Sequence, residues 1–233
     1  WRRANIAVGN FFFRYRNATF PLLFAAALLT LRPGLFFGRP DVTQALMRAG
    51  AVAALAGAAV RLATIGFEYI ERGGKNKQIY ASFLAQKGMY GLTRNPMYLG
   101  NALIASGLLF FAGSPALCLI VLPFFLFVYQ AIVMAEETYL SARFGEQYAA
   151  YCAVVPRWWP SLRRAPSAFA GLRYQWRRAI RKDMSTLLGL STGLILLPVW
   201  RAACLQGWDG AAALLPRAAL WESLVLAVYL VLY

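Results

Sequence analysis

The sequence predicts an all-α polytopic membrane protein with about six transmembrane helices, and three properties of the chain support this fold class. Hydrophobic residues make up 60% of the 233 residues, whereas charged residues make up only 14%. The mean hydropathy is +0.52, which is too apolar for a soluble domain whose surface must be wetted. Aromatic residues account for 15% of the chain, and many flank apolar runs, as expected of rings at the headgroup layer.

Six apolar segments are candidates for membrane spans, since a spanning helix needs about 20 apolar residues. They cover residues 18–37, 45–67, 97–113, 115–134, 185–205 and 214–233. The second segment contains Gly50, Ala54, Gly57 and Ala58, and such small residues predict close contact with another helix. The third and fourth segments are separated by a Gly-Ser-Pro sequence at residues 113–115, which predicts a short helical hairpin.

We expect one membrane domain, residues 1–233, with three parts. Residues 1–79 contain an N-terminal amphipathic stretch and two spans. Residues 80–160 contain the hairpin and the segments with the most informative motifs. Residues 161–233 contain a basic interfacial segment and the last two spans, and the basic run at residues 173–183 predicts an amphipathic stretch on anionic headgroups.

Basic residues concentrate on one side of the predicted spans. Lys and Arg number 24 against nine Asp and Glu, for a net charge of +15. In a chain this apolar, the charge favours anionic membrane lipids over nucleic acid as partners. Basic residues precede the first span and cluster between Arg72 and Arg94 and between Arg143 and Lys182. The positive-inside rule therefore predicts cytoplasmic loops and chain ends on that side, as in an integral protein of a bacterial inner membrane.

The residue inventory excludes several kinds of active site. Histidine is absent, which excludes a Ser-His-Asp triad, a His-ligated zinc and a haem on a proximal His. The three cysteines have neither metal-ligand spacing nor a disulfide framework, so no metal site is predicted. Three arginines lie within or at the ends of predicted spans, where we expect their side chains to snorkel to the interface, with a functional role as the alternative: Arg48, Arg61 and Arg217.

The stretch GMYGLTRNPMYLG, residues 88–100, combines a helix start with polar and aromatic groups. Pro96 suits the first turn of a helix, and Asn95 before it predicts an N-cap. Such a helix start attracts anions. Gly88 and Gly91 allow the preceding backbone to turn or to approach a ligand closely. The stretch predicts either a ligand site or an interfacial anchor with a helix cap.

A second segment, residues 135–160, places carboxylates where a span leaves the membrane. Read as one helix, it puts Glu137 on one face with an apolar and aromatic stripe. The stripe consists of Leu140, Phe144, Tyr148 and Tyr151. Glu136 lies about 100° round the helix from Glu137. Carboxylates at such a place are costly unless they bind something, so the pair predicts a binding function, with a solvated pair as the alternative.

Together, these two segments resemble the isoprenylcysteine carboxyl methyltransferase family and its relatives, the phospholipid N-methyltransferases. Those proteins carry G-x-Y-x-x-x-R-H-P-x-Y-x-G at the start of a membrane helix. A helical hairpin follows, and then E-E-x-x-L-x-x-x-F-G-x-x-Y-x-x-Y ending in V-P-R. Here the first motif reads Gly88, Tyr90, Arg94, Asn95, Pro96, Tyr98 and Gly100. The second reads Glu136, Glu137, Leu140, Phe144, Gly145, Tyr148, Tyr151, Val155, Pro156 and Arg157. The resemblance covers about residues 80–160.

The resemblance implies an integral membrane methyltransferase that uses S-adenosylmethionine (SAM) on a lipid-like or prenylated acceptor, carboxyl or amine, at the cytoplasmic face. The cofactor-binding residues that it implies are Ser82, Phe83, Leu84, Ala85, Tyr90, Asn95, Pro96, Met97, Tyr98 and Glu136. Arg94 and Glu137 are then expected to be catalytic, and Arg157 and Tyr148 to bind the substrate. Asn95 and Ser82 depart from the family pattern, since members often have His at these positions.

Two other functions fit parts of the sequence. A sterol-type membrane reductase would bind NADPH, and the sequence YCAVVP at residues 151–156 favours it. The Glu136-Glu137 pair and the short loop before Gly88 favour the methyltransferase instead. A non-catalytic membrane scaffold with a degenerate site is the third reading, and Asn95 supports it. The sequence leaves open the identity of the acceptor and whether the last two spans form the substrate pocket or a homo-oligomer contact.

Overall fold

The computed structural model describes residues 2–68 and 79–232, and the regular secondary structure of these residues is helical. The α-helices are α1 (Arg2–Thr30), α2 (Pro40–Phe67), α3 (Pro96–Phe111), α4 (Leu122–Val154), α5 (Ala165–Phe169) and α6 (Trp176–Leu232). Short 3-10 turns lie at Phe36–Gly38, Gly88–Gly91 and Leu162–Arg164, and a π-helical turn, Leu117–Val121, leads into α4. The predicted all-α class is confirmed for the described part of the chain.

Three helical segments of the described chain are long and apolar enough to cross a membrane: Pro40–Phe67, Leu117–Val154 and Trp176–Leu232. Helix α3 is apolar but shorter, and its 16 residues extend only about 24 Å. Helix α1 ends at Thr30, just before Pro33, a residue that helices rarely continue into. The chain is an integral membrane protein by these criteria, and the number of about six spans stays a prediction.

Helices α3 and α4 form the predicted helical hairpin, and the Gly-Ser-Pro sequence lies in the turn between them. Gly113 adopts φ +63°, a left-handed conformation that costs glycine little. The hydroxyl of Ser114 donates to the carbonyl of Arg32 at 2.7 Å. The carbonyl of Gly113 accepts hydrogen bonds from the backbone N–H of Gly34 at 3.0 Å and from Arg201 at 2.6 Å. Hydrogen bonds therefore connect this turn both to the loop that follows α1 and to helix α6.

Helix α6 is itself folded back on itself. Gly207 has φ +74° and ψ −162°, which no α-helix contains. The hydroxyl of Thr192 donates to a carboxylate oxygen of Glu222 at 2.6 Å, although the two are 30 residues apart. A straight helix would separate them by about 45 Å. The two residues lie at equal chain distances from Gly207, so the predicted segments 185–205 and 214–233 form an antiparallel pair, helical almost up to the turn.

Glycines allow α2 and α3 to approach each other closely. A Cβ atom on Gly57 would lie 2.6 Å from the backbone oxygen of Gly100, and one on Gly50 would lie 2.6 Å from that of Gly107. Since the helices are antiparallel, the two contacts repeat along one seam. A Cβ on Gly100 would also lie 2.5 Å from Cγ of Arg61. The close contact predicted from the small residues of α2 is confirmed, and the glycines of α3 supply its other half.

The remaining helices pack on this pair through apolar clusters. Leu190 of α6 packs with Ala54 and Ala58 of α2 and Ile104 of α3. Phe13 of α1 packs with a buried group on α4, which consists of Val128, Tyr129, Ile132 and Val133, together with Tyr98 of α3. Helix α6 therefore packs on α2 and α3, whereas α1 packs on α4 and meets α3 at Tyr98.

Some sequence predictions fall outside the described residues. The basic residues Arg72, Lys75 and Lys77, which support the predicted orientation, lie in the range 69–78, and the last predicted span ends at Tyr233.

We expect Gly57→Ala to lower the free energy of unfolding by about 1–3 kcal/mol, the usual cost of overpacking, because its new methyl group would meet the backbone of α3. The matched control is Gly189→Ala in α6, where a Cβ would meet nothing within 4 Å. That control should leave stability unchanged or raise it by about 0.5–1 kcal/mol through helix propensity. Thermal unfolding in detergent micelles measures both, and equal midpoints for the two variants would contradict the close contact.

Candidate functional site

A cavity of about 510 Å³ lies at the N-terminal end of α3. Its wall combines α1, α2, the segment 79–85, the first turn of α3, the middle of α4 and the start of α6. Twelve of the fourteen predicted site residues line it: Ser82, Phe83, Leu84, Ala85, Tyr90, Arg94, Asn95, Met97, Tyr98, Glu136, Glu137 and Tyr148. Pro96 and Arg157 do not line the cavity. Two sequence segments separated by a hairpin thus meet around one space, as expected of a binding site.

The first turn of α3 is held by the chain that follows α4. The backbone N–H of Arg94 donates to the carbonyl of Pro156 at 2.9 Å, and the Asn95 amide donates to the carbonyl of Arg157 at 3.1 Å. The hydroxyl of Thr93 lies 3.1 Å from the same carbonyl. Asn95 occupies the N-cap position of α3, as predicted, but its side chain makes no cap bond. The residue joins the two motifs instead.

Tyr98 and Glu136 connect α3 to α4 inside the cavity wall. The Tyr98 hydroxyl donates to Oε1 of Glu136 at 2.6 Å, and the Arg16 guanidinium of α1 lies 3.5 Å from the same hydroxyl. Tyr98 is buried and Glu136 is partly buried. A carboxylate placed this deep is costly without partners. This arrangement leaves it one hydroxyl partner and a face toward the cavity.

Glu137 is held by two arginines. Nε of Arg157 donates to both of its carboxylate oxygens at 3.0 Å, and a second Arg157 nitrogen also bonds it. Nη1 of Arg94 lies 3.4 Å from Oε1 and donates to Cys152 Sγ at 2.8 Å. The hydrogen bonds to Glu137 raise the pKa of Arg157. Burial lowers the pKa of Arg94, but the charge of Glu137 and the hydrogen bond to Cys152 outweigh this effect and raise it. Both guanidinium groups therefore stay charged.

The acidic segment is not one continuous helix. Gly145 has φ +49° and ψ −122°, so the chain bends there, and the prediction of a single straight face across it is wrong. The stripe nevertheless comes together, since Tyr148, Tyr151 and Val155 form a buried cluster against residues on the other side of the bend. The Tyr151 hydroxyl donates to the carbonyl of Tyr90 at 2.7 Å. The bend thus brings both motifs onto the same wall.

A third polar group lies at the end of the cavity formed by α2, α3 and α6, and the sequence did not predict it. Nε of Arg61 donates to Asp183 at 2.9 Å, and other nitrogens of the same guanidinium bond Asp183, Asn101 and, at 2.9 Å, Thr186. The side chains of Arg61 and Asp183 are 6% and 0% exposed. The expectation that Arg61 snorkels is wrong, because its guanidinium is buried in an ion pair. The sequence feature that could have indicated this ion pair is an Asp at the start of one predicted span together with an Arg within another.

Comparison with known proteins supports the resemblance. Residues 47–147 match a family model described as Phospholipid methyltransferase. No curated protein and no solved structure matches the chain. The matched residues include most of α2, all of α3 and α4 as far as the bend, so the carboxylate pair and the whole stretch 88–100 lie within them. The resemblance to phospholipid methyltransferases that the sequence predicted is confirmed over these residues, which are fewer than half of the chain.

We expect Asp183→Asn to destabilise the protein by about 3–5 kcal/mol, because it leaves the buried guanidinium of Arg61 without its counter-charge. The double substitution Arg61→Met with Asp183→Leu should recover most of this loss, since it removes both charges together. Asp209→Asn, at an exposed position of α6, is the matched control. Thermal unfolding midpoints in detergent decide the outcome. Equal midpoints for Asp183→Asn and Asp209→Asn would contradict the structural role of the pair.

Proposed function

We propose that the protein is a SAM-dependent methyltransferase whose acceptor is a lipid-like molecule at the cytoplasmic face of a membrane. The family match supports methyl transfer to lipids. The observation that carries the cofactor assignment is the hydrogen bond from Tyr98 to Glu136 inside the cavity. It brings the two implied cofactor-binding segments together at a carboxylate that faces an open space.

The residues around the cavity fit SAM in size and in charge. A volume of about 510 Å³ lies within the range of about 300–1,000 Å³ that small-molecule sites occupy. SAM carries a sulfonium, an ammonium and a carboxylate. Glu136 would attract the cationic groups, whereas the positive end of α3 would attract the carboxylate. The exposed and half-buried side chains of Ser82, Phe83 and Leu84 would cover the rest of the cofactor from the loop side.

Methyl transfer makes few demands on acid-base groups. The bound cofactor supplies a methyl group on a sulfonium, which is already activated for in-line displacement. The protein therefore has to align the acceptor and exclude water. The apolar and aromatic lining between α1 and α4 serves the second task. A chain without histidine can perform both.

The ion pairs of Glu137 suggest a positioning role rather than that of a free base. Both of its oxygens accept hydrogen bonds from Arg157, so accepting a proton from an amine would require that pair to open. Arg157 lies outside the cavity lining, and we assign it the task of fixing Glu137 and, through it, Arg94. Arg94 remains the group that would meet an anionic part of a ligand, whereas Tyr148 would contact the acceptor.

Asn95 departs from the family pattern without removing the polar contact. Its amide donates to the Arg157 carbonyl and its position lines the cavity, so it retains hydrogen-bonding capacity toward a ligand through its oxygen. We therefore propose that the substitution leaves cofactor binding intact.

The cofactor assignment is tested by isothermal titration calorimetry of the detergent-purified protein with SAM and, separately, with NADPH. We expect SAM to bind and NADPH not to bind. Binding of NADPH without SAM would favour a reductase, and binding of neither would favour a scaffold with a degenerate site. Either of these results would overturn the proposed function.

We expect Glu136→Gln to weaken SAM binding by about 1–3 kcal/mol, because it removes the charge that attracts the cationic groups of the cofactor. Glu146→Gln, at an exposed position beyond the bend, should leave the affinity unchanged. Calorimetry with SAM measures both variants. An unchanged Kd for Glu136→Gln would show that the cofactor binds elsewhere.

A further inference from the structure

Helix α1 contributes a cation to the cavity that differs from the other two. Arg61 is paired with Asp183, and Arg94 with Glu137. Arg16 has no carboxylate within ion-pair distance among the described residues. Within the described part of the chain its hydrogen-bond partner is the Tyr98 hydroxyl, at 3.5 Å, and its guanidinium lies over the ring of Phe13 at 4.4 Å. This guanidinium therefore keeps most of its donors available for a ligand.

The position of Arg16 relates it to the methyl donor that we propose. The Tyr98 hydroxyl gives its proton to Glu136, so it can only accept from Arg16. An anion held by Arg16 would thus lie one side chain away from Glu136, the carboxylate assigned to the cationic groups of the cofactor. Asn17, the next residue of α1, also lines the cavity and adds an amide. Neither residue belongs to the part of the chain that matches the family model.

An aromatic track runs from Arg16 toward the outer surface. Phe20 lines the cavity and packs against Phe125 and Tyr129 of α4, with ring centroids 4.8 and 5.6 Å apart. Phe12 stacks on Phe20 at 6.2 Å and meets Phe124 edge-on at 6.1 Å. Phe124 is 42% exposed. Apolar surface therefore continues from the cavity to the exterior between α1 and α4.

A cation beside an apolar track is complementary to a molecule with an anionic group at the end of a hydrocarbon chain. The family match favours a phospholipid as the acceptor, and we propose that α1, which lies outside the matched residues, recognises it: Arg16 binds the phosphate of a glycerophospholipid, and the aromatic track receives one of its acyl chains. That the bound lipid would lie beside the methyl donor SAM rests on the proposed function. The charge-assisted bond to a phosphate oxygen supplies the selectivity, and the aromatic contacts add affinity that does not depend on the headgroup.

Binding of a short-chain phosphatidylethanolamine to the detergent-purified protein, followed by calorimetry, tests this assignment without requiring turnover. Diacylglycerol with the same acyl chains is the comparison ligand, because it lacks the phosphate. We expect Arg16→Gln to weaken phosphatidylethanolamine binding by about tenfold or more, the effect of losing one charged hydrogen bond. Diacylglycerol binding should stay within twofold. The phosphatidylethanolamine affinity of Arg16→Lys should lie between those of Arg16→Gln and the unaltered protein, since lysine keeps the charge but lacks the planar guanidinium that can donate two parallel hydrogen bonds.

The matched control is Arg14→Gln on the same helix, which lies outside the cavity lining, is exposed and stacks on Tyr15. It should bind both lipids as the unaltered protein does. Unchanged phosphatidylethanolamine affinity in Arg16→Gln, or an equal loss for both lipids, would overturn the assignment. Titration of the same preparations with SAM separates the two proposals. Lipid binding that depends on Arg16, without SAM binding, would contradict the cofactor assignment alone. SAM binding together with a lipid affinity that does not depend on Arg16 would contradict only the role of Arg16.

Discussion

The contact of glycine against backbone between α2 and α3 sets the distances on which the site depends. Because Gly57 and Gly100 carry no Cβ, the helix axes can approach closely, and the space above Gly100 is filled by the stem of Arg61. The guanidinium then reaches Asn101 on α3 and Asp183 on α6. In lipid, where apolar surface drives helices together only weakly, such close packing and buried polar bonds are the main sources of helix association. The glycine contact between α2 and α3 thus determines the relative positions of α2, α3 and α6.

The same seam explains how the two sequence motifs become one site. Helix α3 is fixed against α2 along its length, while its first turn is tied to the chain after α4 by Asn95 and the backbone of Arg94. Glu136 and Glu137 project from α4 toward that turn and find different partners, a hydroxyl for the first and two guanidinium groups for the second. Two adjacent carboxylates therefore have different electrostatic surroundings. The first is the one available to a cation, and the second is a fixed part of the wall.

The local parts of this arrangement were predictable from the sequence, whereas the contacts between distant residues were not. Pro96 marks the start of α3, the Gly-Ser-Pro sequence marks the hairpin, and the spacing of the motifs indicates the cavity wall. The ion pair of Arg61 joins residues 122 positions apart, and no local pattern identifies such a partner. The bend at Gly145 was missed because a glycine can also continue a helix, at a cost of about 1 kcal/mol. The helical stretch around residue 210 was missed because its Gly, Asp and Gln content is typical of a loop.

At the end of α3 away from the cavity, the carbonyl of Gly113 is shared by the loop after α1 and by Arg201 of α6, and Trp200 of α6 donates to the carbonyl of Leu28 in α1 at 3.0 Å. Three segments are fastened together there, about one helix length from the site. Because these bonds hold this end of α1, a tilt of the helix would leave Leu28 near its place and would displace the residues closer to the N-terminal end. A tilt of a few degrees would move Arg16, in the middle of α1 and about 21 Å along the helix from Thr30, by about an ångström.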